Sequence, residues 1–495
     1  MKKIIAILLV LTTCAAFTAC GSDKGNSSRN PDIGKNGTLK ITYYKGGTGS
    51  KWINELVNAF EEETLIKVEE PNDDAKATEK SLTWLESNRD LPDVAFILYT
   101  NWQKFVQNDY LAPLDDLYDG TFTATFGSGE YERTITSTYS TAGTTVTAVS
   151  GKTKDVTLSD ILCADYLDYG KTAKTADDEK RFWVMPWTSG TTGIVYNVNY
   201  LKSVGYDNPP ATYSELLDLC GKLNAKGIAP FAWGGEEMGY WDFVTMGWWA
   251  QYSGVDTWEK FWSFESPEVF NDVGRQKALE AWQTLLVNDD GSWKNSIDRP
   301  MGRDHMDAQK QFISGKAAMI PTGSWIENEV KDFIPDGFEM AFMPTPAIDG
   351  AKTDEIGDII QLCNTEAGDF AYVPKNAANV KAAKAFLAFM NRPEWVEKFT
   401  LYAGMPRPFN YKPSTISGIS SFTKSSMEYY ENSVKMWRVS DSPIYTYAGI
   451  RQWDPYGSTT VYGQLAGSGK KTPDTLFKNM YDNAKAKWSI WLKSI

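Results

Sequence analysis

Short apolar strands and amphipathic helices alternate along the N-terminal part of the sequence, and this alternation restricts the possible folds most. Residues 39–44 alternate apolar and polar side chains, as a strand does, and residues 93–98 are nearly all apolar, as in a strand buried on both faces. Between them, a helix is predicted from the apolar residues that share one face, namely Ile53, Leu56, Val57 and Phe60. This order predicts an α/β fold with a mostly parallel, doubly wound sheet, because the helix returns the chain to the same end of the sheet.

A later segment, residues 312–325, places a tryptophan directly after a predicted strand. A helix ends at Gly315, an apolar strand covers residues 317–320, small residues 322–324 follow, and Trp325 opens the next helix. In an open α/β sheet, ligands bind in the crevice beyond the carboxyl ends of the strands. We therefore expect Trp325 to present a flat face to a ligand; the alternative is packing beneath a neighbouring helix.

The length and charge of the chain exclude several classes of protein. A chain of 495 residues is too long for one core, so at least two globular units are expected. A net charge of −13 argues against a nucleic-acid partner, which would need a basic surface. His305 is the only histidine, so neither a histidine-built metal site nor a catalytic triad is expected, and no cofactor is implied. The 19 tryptophans instead favour a ligand with flat faces.

The N-terminus has the pattern of a bacterial lipoprotein signal. Two lysines precede an apolar run, and a short stretch with small residues leads to Cys20. We expect residues 1–19 to be a signal peptide, Cys20 to carry the lipid, and residues 20–37 to form a flexible polar tether. Three further cysteines follow Cys20 in the chain, namely Cys163, Cys220 and Cys363. Their odd number and wide spacing predict neither a disulfide framework nor a zinc site, and any pairing is left open.

Motifs of known catalytic folds do not stand out in this sequence. A Gly-x-Ser-x-Gly nucleophile elbow does not occur. Residues 467–472 superficially resemble a phosphate-binding loop, but the first glycine is missing and a lysine stands where serine or threonine is required. The sequence therefore favours a binding protein over an enzyme.

Two segments depart from the regular alternation of strands and helices. Small residues at 188–193 separate two strand-like stretches, which suits a hinge between lobes. Residues 121–154 are rich in Thr, Ser and Gly and predict a surface insertion with a hairpin around Gly143. A capping box formed by Thr212 and Glu215 predicts the start of a helix in the second half of the chain.

Taken in order, several segments resemble the extracellular solute-binding proteins of ABC sugar importers, the family that includes maltose-binding protein. The resemblance extends over residues 39–492 and depends on the lipoprotein signal and on segments 39–44, 92–94, 186–197, 210–216, 312–325, 383–387 and 404–406. It implies two α/β lobes of the type II periplasmic-binding-protein-like fold. Each lobe would be a mostly parallel sheet flanked by helices, and a hinge would let the lobes close on a sugar.

The resemblance also implies where the chain passes between the lobes. The N-lobe is expected at 38–188 and 369–412, and the C-lobe at 193–360 and 425–492. The crossing segments would then be 189–192, 361–368 and 413–424.

Family ligand contacts come from loops that follow the strands, and twelve positions of this sequence match such loops. The resemblance implies substrate contacts from Tyr44, Gly47, Thr48, Asn101, Trp102, Trp187, Tyr240, Trp241, Trp325, Arg407, Trp453 and Asp454. At the first crossing, Gly190 stands where maltose-binding protein would have a contacting carboxylate, which argues against maltose itself.

The implied function is capture of a carbohydrate, expected to be an oligosaccharide, for a membrane permease. The protein would be a monomer held by its lipid on the outer face of the cell membrane. Three alternatives remain: a lipid-anchored glycoside hydrolase, which would need two carboxylates flanking the scissile bond, a surface adhesin, and a binding protein for a peptide or polyamine. A polyamine site would need carboxylates facing the aromatic residues.

Overall fold

The computed structural model describes residues 37–493, with the exception of residues 99, 168–169, 176, 355, 365–368 and 437–443. The predicted signal peptide, Cys20 and the tether up to residue 36 lie outside the described residues, as does part of the predicted second crossing.

The strands are short and are spread along the whole described chain. In order they are β1 (Thr38–Leu39), β2 (Ile41–Tyr43), β3 (Lys67–Val68), β4 (Asn72–Asp73), β5 (Val94–Ile97), β6 (Thr123–Phe126), β7 (Arg133–Thr136), β8 (Thr138–Tyr139), β9 (Val156–Thr157), β10 (Lys171–Thr172), β11 (Arg181–Phe182), β12 (Met185–Pro186), β13 (Thr192–Asn197), β14 (Ala229–Phe231), β15 (Ala317–Gly323), β16 (Met340–Met343), β17 (Leu362–Asn364), β18 (Phe370–Tyr372) and β19 (Val434–Met436).

The helices range from single turns to a long C-terminal helix. They are α1 (Lys51–Thr64), α2 (Ala77–Ser87), α3 (Gln103–Gln107), α4 (Asp115–Tyr118), α5 (Leu158–Ile161), α6 (Ala164–Leu167), α7 (Val198–Ser203), α8 (Tyr213–Ala225), α9 (Asp242–Ser253), α10 (Val255–Ser263), α11 (Val273–Leu286), α12 (His305–Ile313), α13 (Ile326–Val330), α14 (Val380–Met390), α15 (Pro393–Ala403), α16 (Ser421–Glu431), α17 (Gly457–Gln464) and α18 (Pro473–Lys493). Among the described residues, no helix combines the length and the apolar character that a membrane span requires.

Five strands form the sheet of the first lobe, here called the N-lobe, in the order β12-β18-β5-β2-β4. Strand β2 is parallel to both β4 and β5, whereas β18 is antiparallel to β5 and to β12. Four strands therefore run one way and β18 runs against them. All four residues of β5 are fully buried, and α1 buries Ile53, Leu56, Val57 and Phe60, as their apolar spacing predicts.

The second lobe, here called the C-lobe, contains a four-stranded sheet in the order β14-β15-β13-β16. Strand β14 is parallel to β15, and β13 is antiparallel to both of its neighbours. In the same lobe, helix α8 begins at the predicted capping box, where the side chain of Thr212 accepts a hydrogen bond from the backbone N–H of Glu215. The two-lobed, mostly parallel α/β fold is therefore confirmed.

The strand that runs against the others is the first strand of the C-lobe sheet in the chain, β13, and the last strand of the N-lobe sheet, β18. Strand β13 begins at the end of the expected first crossing, and the parallel pair β17–β19 lies beside the C-lobe sheet. After the third crossing, α16 packs on the C-lobe, where Phe422 stacks on Phe342 with ring centroids 5.4 Å apart. This helix begins at Ser421, four residues before the expected C-lobe boundary.

The predicted insertion, residues 121–154, is tied to the N-lobe rather than loosely attached to it. Its tight hairpin is β6–β7, which turns near Gly127, so the expected hairpin around Gly143 is wrong. Gly143 lies instead in the long connection between β8 and β9. Alternate residues point into the N-lobe core, because the hairpin presents one apolar face: Ala124, Phe126, Ile135, Tyr139 and Val146 are all buried there.

Candidate functional site

A cavity of about 420 Å³ lies between the N-lobe and the C-lobe. Such a volume is within the range of small-ligand sites in proteins. Seven lining residues belong to the N-lobe: Tyr44, Gly47, Thr48, Leu98, Trp187, Asp369 and Met405. Six belong to the C-lobe: Glu237, Tyr240, Phe243, His305, Trp325 and Glu329.

Several of these side chains come directly after the carboxyl end of a strand. Tyr44 follows β2, Leu98 follows β5, Trp187 follows β12, and Trp325 lies two residues after β15. The carboxyl ends of parallel strands meet at one edge of a sheet, where α/β folds bind ligands. The position of the cavity therefore follows from the direction of the strands in both sheets.

Trp325 lines the cavity and contacts both lobes. In the C-lobe, its ring packs edge-on against Tyr240 and Phe243, at centroid distances of 6.0 and 5.8 Å. In the N-lobe, Gly47 lies so close that a Cβ atom at that position would overlap the Trp325 side chain. The Trp325 indole Nε1 is buried and has no hydrogen-bond partner within the described structure.

Tyr44 and Trp187 form the aromatic part of the N-lobe wall. Trp187 is almost fully buried; it stacks on Trp52 at 5.4 Å, and its Nε1 donates to the carbonyl of Ile97 at 3.2 Å. Only part of its ring can therefore reach a ligand. Tyr44 is half-buried, and burial raises the pKa of its hydroxyl, helped by the charge of Glu329. Thr48 is held by a hydrogen bond from its hydroxyl to the carbonyl of Lys45 at 2.6 Å.

Polar residues that sequence reasoning missed complete the C-lobe wall. Burial raises the pKa of Glu329, although Gln309 donates a hydrogen bond to its carboxylate at 2.7 Å. Nδ1 of His305 lies 3.4 Å from Oε1 of Glu237, whose second oxygen, Oε2, is buried without a partner in the described structure. The sequence held one usable signal, since Glu329 comes four residues after Trp325 and shares its helix face.

Trp453 does not lie at the cavity, and its expected position beside a ligand is corrected. The ring is fully buried in the C-lobe core, and Nε1 donates to Oδ1 of Asp242 at 2.7 Å. Gln452 and Tyr462 also donate to the carboxylate of Asp242, which is buried too. A buried carboxylate needs such donors, and this requirement holds Trp453 in the core.

Two other predicted tryptophans also pack in cores rather than at the cavity. Trp241 is fully buried against Phe231 and Trp282, at centroid distances of 5.3 and 6.2 Å. Trp102 is fully buried beside Phe370 of the N-lobe sheet, at 6.1 Å. Both expectations of ligand contact are corrected for the same reason: each ring fills the space between a helix and its own sheet.

Arg407 lies behind the cavity wall instead of in it. Its Nε donates to the carbonyl of Trp187 at 3.1 Å, and its two terminal nitrogens donate to the carbonyl of Met390 and to Oδ1 of Asn391. Full burial lowers the pKa of its guanidinium to about 9. The expected ligand contact is therefore corrected: Arg407 holds the backbone of Trp187 in place.

Asn101 and Asp454 are also absent from the cavity lining. Asn101 is half-buried just before α3 in the N-lobe. Asp454 lies beside α18, where its Oδ2 accepts a hydrogen bond from Asn483 at 2.9 Å. The structure thus brings together six of the twelve predicted positions, namely Tyr44, Gly47, Thr48, Trp187, Tyr240 and Trp325.

The side chains that could bind a metal ion are dispersed in the part of the chain that the structure describes. Across the described ranges, no three His, Cys, Asp or Glu side chains are placed to hold a metal ion. Within these ranges, Cys220 and Cys363 are buried free thiols. The chemistry available in the cavity is therefore stacking and hydrogen bonding.

Two α/β lobes joined by crossing segments, with an aromatic cavity between them, define a clamp-type binding protein. The chain belongs to the bacterial extracellular solute-binding protein family, whose model matches residues 46–397. This is a family of solute-binding proteins rather than of enzymes.

Comparisons with individual proteins agree with this family. The multiple sugar-binding protein of Streptococcus mutans is 27% identical over 232 residues, which are 46% of this chain and 51% of that protein. The diacetylchitobiose binding protein NgcE of Streptomyces coelicolor is 26% identical over 200 residues, which are 40% of each chain. The matched region thus spans about half or less of these relatives. A structure of maltose-bound MalE3 of T. maritima has the same fold, with a TM-score of 0.57 and 18% identity over 90% of this chain and 99% of that one.

Proposed function

We propose that this protein captures a carbohydrate between its two lobes and delivers it to an ABC permease in the membrane. The observation that carries the proposal is the cavity of about 420 Å³, which is lined by aromatic side chains and carboxylates of both lobes. A pyranose ring has apolar C–H faces and a rim of hydroxyls, so it matches both kinds of wall. The names of the streptococcal and streptomycete relatives support a sugar.

The contribution of each wall follows from its geometry. Tyr44, Tyr240 and Trp325 offer ring surface, while Thr48 and the carboxylates offer hydrogen bonds. Because the walls belong to different lobes, a ligand contacts both walls only when the lobes are closed. Binding and closure are therefore one event, which gives a permease a way to distinguish the loaded protein from the empty one.

Release and identification of the natural ligand test the proposal directly. Mass spectrometry of small molecules released from freshly purified protein should detect a saccharide, and calorimetric titration with that saccharide should give saturable binding. If the protein releases no saccharide and binds none of a broad glycan panel, the proposed function is wrong. Incubation with oligosaccharides should leave them uncleaved.

A polyamine is the second candidate ligand, because the cavity places carboxylates opposite aromatic rings. Glu237, Glu329 and Asp369 line the same space as Tyr44 and Trp325. Titration with putrescine and spermidine separates the two candidates. Saturable binding of either amine, with no binding of saccharides, would replace the carbohydrate by a polyamine.

We further propose that Cys20 carries a lipid that holds the protein, as a monomer, on the outer face of the cell membrane. The support is the sequence pattern that precedes Cys20. One acyl chain anchors a protein only weakly, so stable attachment requires the two or more chains of a bacterial lipoprotein. Cys20→Ser should move the protein from the membrane fraction to the medium or periplasm with ligand binding unchanged; if the variant stays in the membrane fraction, the proposed anchor is wrong.

A further inference from the structure

Carboxylates outnumber basic side chains in the lining of the cavity between the lobes. Three carboxylates line it, from Glu237, Glu329 and Asp369, together with the imidazole of His305. No lysine or arginine is found among the described residues that line the cavity. A ligand that enters this space therefore meets negative charge from both lobes.

Two cationic residues that lie close to lining residues, Lys45 and Arg407, pair with protein groups instead of facing the cavity. Lys45 lies next to Tyr44 in the sequence, but its ammonium pairs with Asp73 at 3.3 Å on the protein surface. Arg407 lies behind Trp187, and its nitrogens donate to protein acceptors. Neither cation is placed to bond an anionic group of a ligand.

The carboxylates Glu329 and Asp369 raise the pKa of a hydroxyl group that lines the same cavity. Burial raises the pKa of the Tyr44 hydroxyl, and the charges of Glu329 and Asp369 raise it further. Glu329 is itself largely withdrawn from water, and burial raises the pKa of its carboxyl. An anionic group brought into the same space would experience the same repulsion.

One acceptor atom in the wall lacks a donor. Oε2 of Glu237 is buried and has no hydrogen-bond partner within the described structure, while Oε1 lies 3.4 Å from His305. The carboxylates that line the cavity favour a ligand that brings O–H or N–H groups to them. A hydroxyl, amide or ammonium group can donate such a bond, whereas an ionised carboxylate or a sulfate ester accepts only.

From these observations we infer that the cavity selects saccharides that carry only hydroxyl, amide or amino groups. It excludes saccharides with carboxylate or sulfate groups, and Glu237 and Glu329 are the residues that set this selectivity. The inference rests on the proposed function, since it names the class of carbohydrate that the same cavity binds.

The first test uses an array that displays neutral, N-acetylated, amino, uronic and sulfated oligosaccharides, with linkage matched wherever possible. Only the first three groups should bind. Strong binding of a uronic or sulfated glycan would overturn the inference and leave the proposed function standing. Binding of no glycan at all would overturn both together.

The second test measures the affinity ratio between the best neutral glycan on the array and its 6-carboxylate analogue by calorimetry. Like charges placed side by side cost several kcal/mol, so the wild-type ratio should be at least about 100-fold. The double variant Glu237→Gln with Glu329→Gln keeps the side-chain shapes and removes two charges, so the ratio should shrink at least about tenfold. Glu62→Gln makes the same change on an exposed position of α1 and should leave the ratio unchanged.

An unchanged ratio in a folded double variant would overturn the assignment of Glu237 and Glu329. If the double variant does not fold, the salt dependence of the wild-type ratio takes its place. Raising the ionic strength from about 0.05 to 0.5 M shortens the Debye length severalfold, so repulsion from the cavity mouth should weaken and the ratio should fall. A ratio that does not change with salt would contradict selection by charge.

Discussion

Asn328 of the C-lobe donates a hydrogen bond from Nδ2 to the carbonyl oxygen of Gly47 in the N-lobe, at 2.8 Å. The same nitrogen donates to the carbonyl of Ala403, also in the N-lobe, at 2.7 Å. Asn328 belongs to the short helix α13, which begins directly after Trp325. One short segment therefore carries both the central aromatic residue of the cavity and a direct bond between the lobes, so ligand contact and lobe closure are mechanically linked.

Loss of the Asn328 side chain should weaken the binding of every ligand by a similar factor. A net hydrogen bond is worth about 1 kcal/mol, so Asn328→Ala removes about 2 kcal/mol from the closed state and lowers affinity about 30-fold. The factor should be common to all ligands, because affinity scales with the population of the closed form.

Small-angle scattering should show a larger radius of gyration for unliganded Asn328→Ala than for the wild type. The matched control is Asn432→Ala: Asn432 is exposed, and its Nδ2 bonds within its own helix end, to the carbonyl of Glu428 at 2.9 Å. Equal affinity and equal radius of gyration in the wild type and in Asn328→Ala would rule out a role in closure.

Truncation of Trp325 should weaken ligand binding more than it lowers the free energy of unfolding. Its ring contacts Tyr240 and Phe243 and borders Gly47, so a ligand held between the lobes lies against it. Buried aromatic hot spots are worth about 2 kcal/mol or more, which predicts at least about 30-fold weaker binding for Trp325→Ala in calorimetric titration. Binding within about twofold of the wild type would show that the ligand lies elsewhere.

Replacement of Trp453 should have the opposite effect. Trp453→Phe keeps most of the buried ring but removes the N–H that donates to Asp242. Removal of one donor to a buried carboxylate should cost about 1–3 kcal/mol in the free energy of unfolding, measured by denaturant titration. Affinity should stay within about twofold, because the ring does not reach the cavity; a large loss of affinity in a fully folded variant would return Trp453 to the binding site.

The charge of Glu329 should make the stability of the protein depend on pH. Burial raises the pKa of this carboxyl above its ordinary value of 4.5, against the smaller lowering effects of Gln309 and His305. A raised folded-state pKa means that the contribution of Glu329 to stability is full below the unfolded pKa and is lost as pH rises through the folded value.

The Glu329→Gln variant has no charge to bury at this position. The melting temperature of the variant minus that of the wild type should therefore increase as pH rises from about 4.5 to neutrality. Calorimetric scans at a series of pH values measure this difference, and Glu62→Gln should give a flat line. A difference that falls with rising pH would mean that the charged form is the stabilised one.

Local patterns in the sequence determined the elements of the fold and one part of the site. The apolar spacing in α1, the apolar run of β5 and the capping box of α8 each depend on residues close together in the chain, and the structure has all three. The same holds for Trp325, because a residue just after a parallel strand must lie at the carboxyl edge of the sheet. Hydrophobic periodicity and turn chemistry act over a few residues, so they can be recognised without the tertiary structure.

Only the tertiary structure decided which aromatic residues reach the cavity. Trp453 and Trp325 are the same residue type, and both follow polar or small residues; yet Trp453 is buried because Asp242, 211 residues away in the chain, accepts its N–H. The wall carboxylates Glu237 and Asp369 likewise come from different lobes and meet only when both sheets are in place. Burial and hydrogen bonding between distant segments have no local signature, because they depend on which faces the packed lobes turn toward each other.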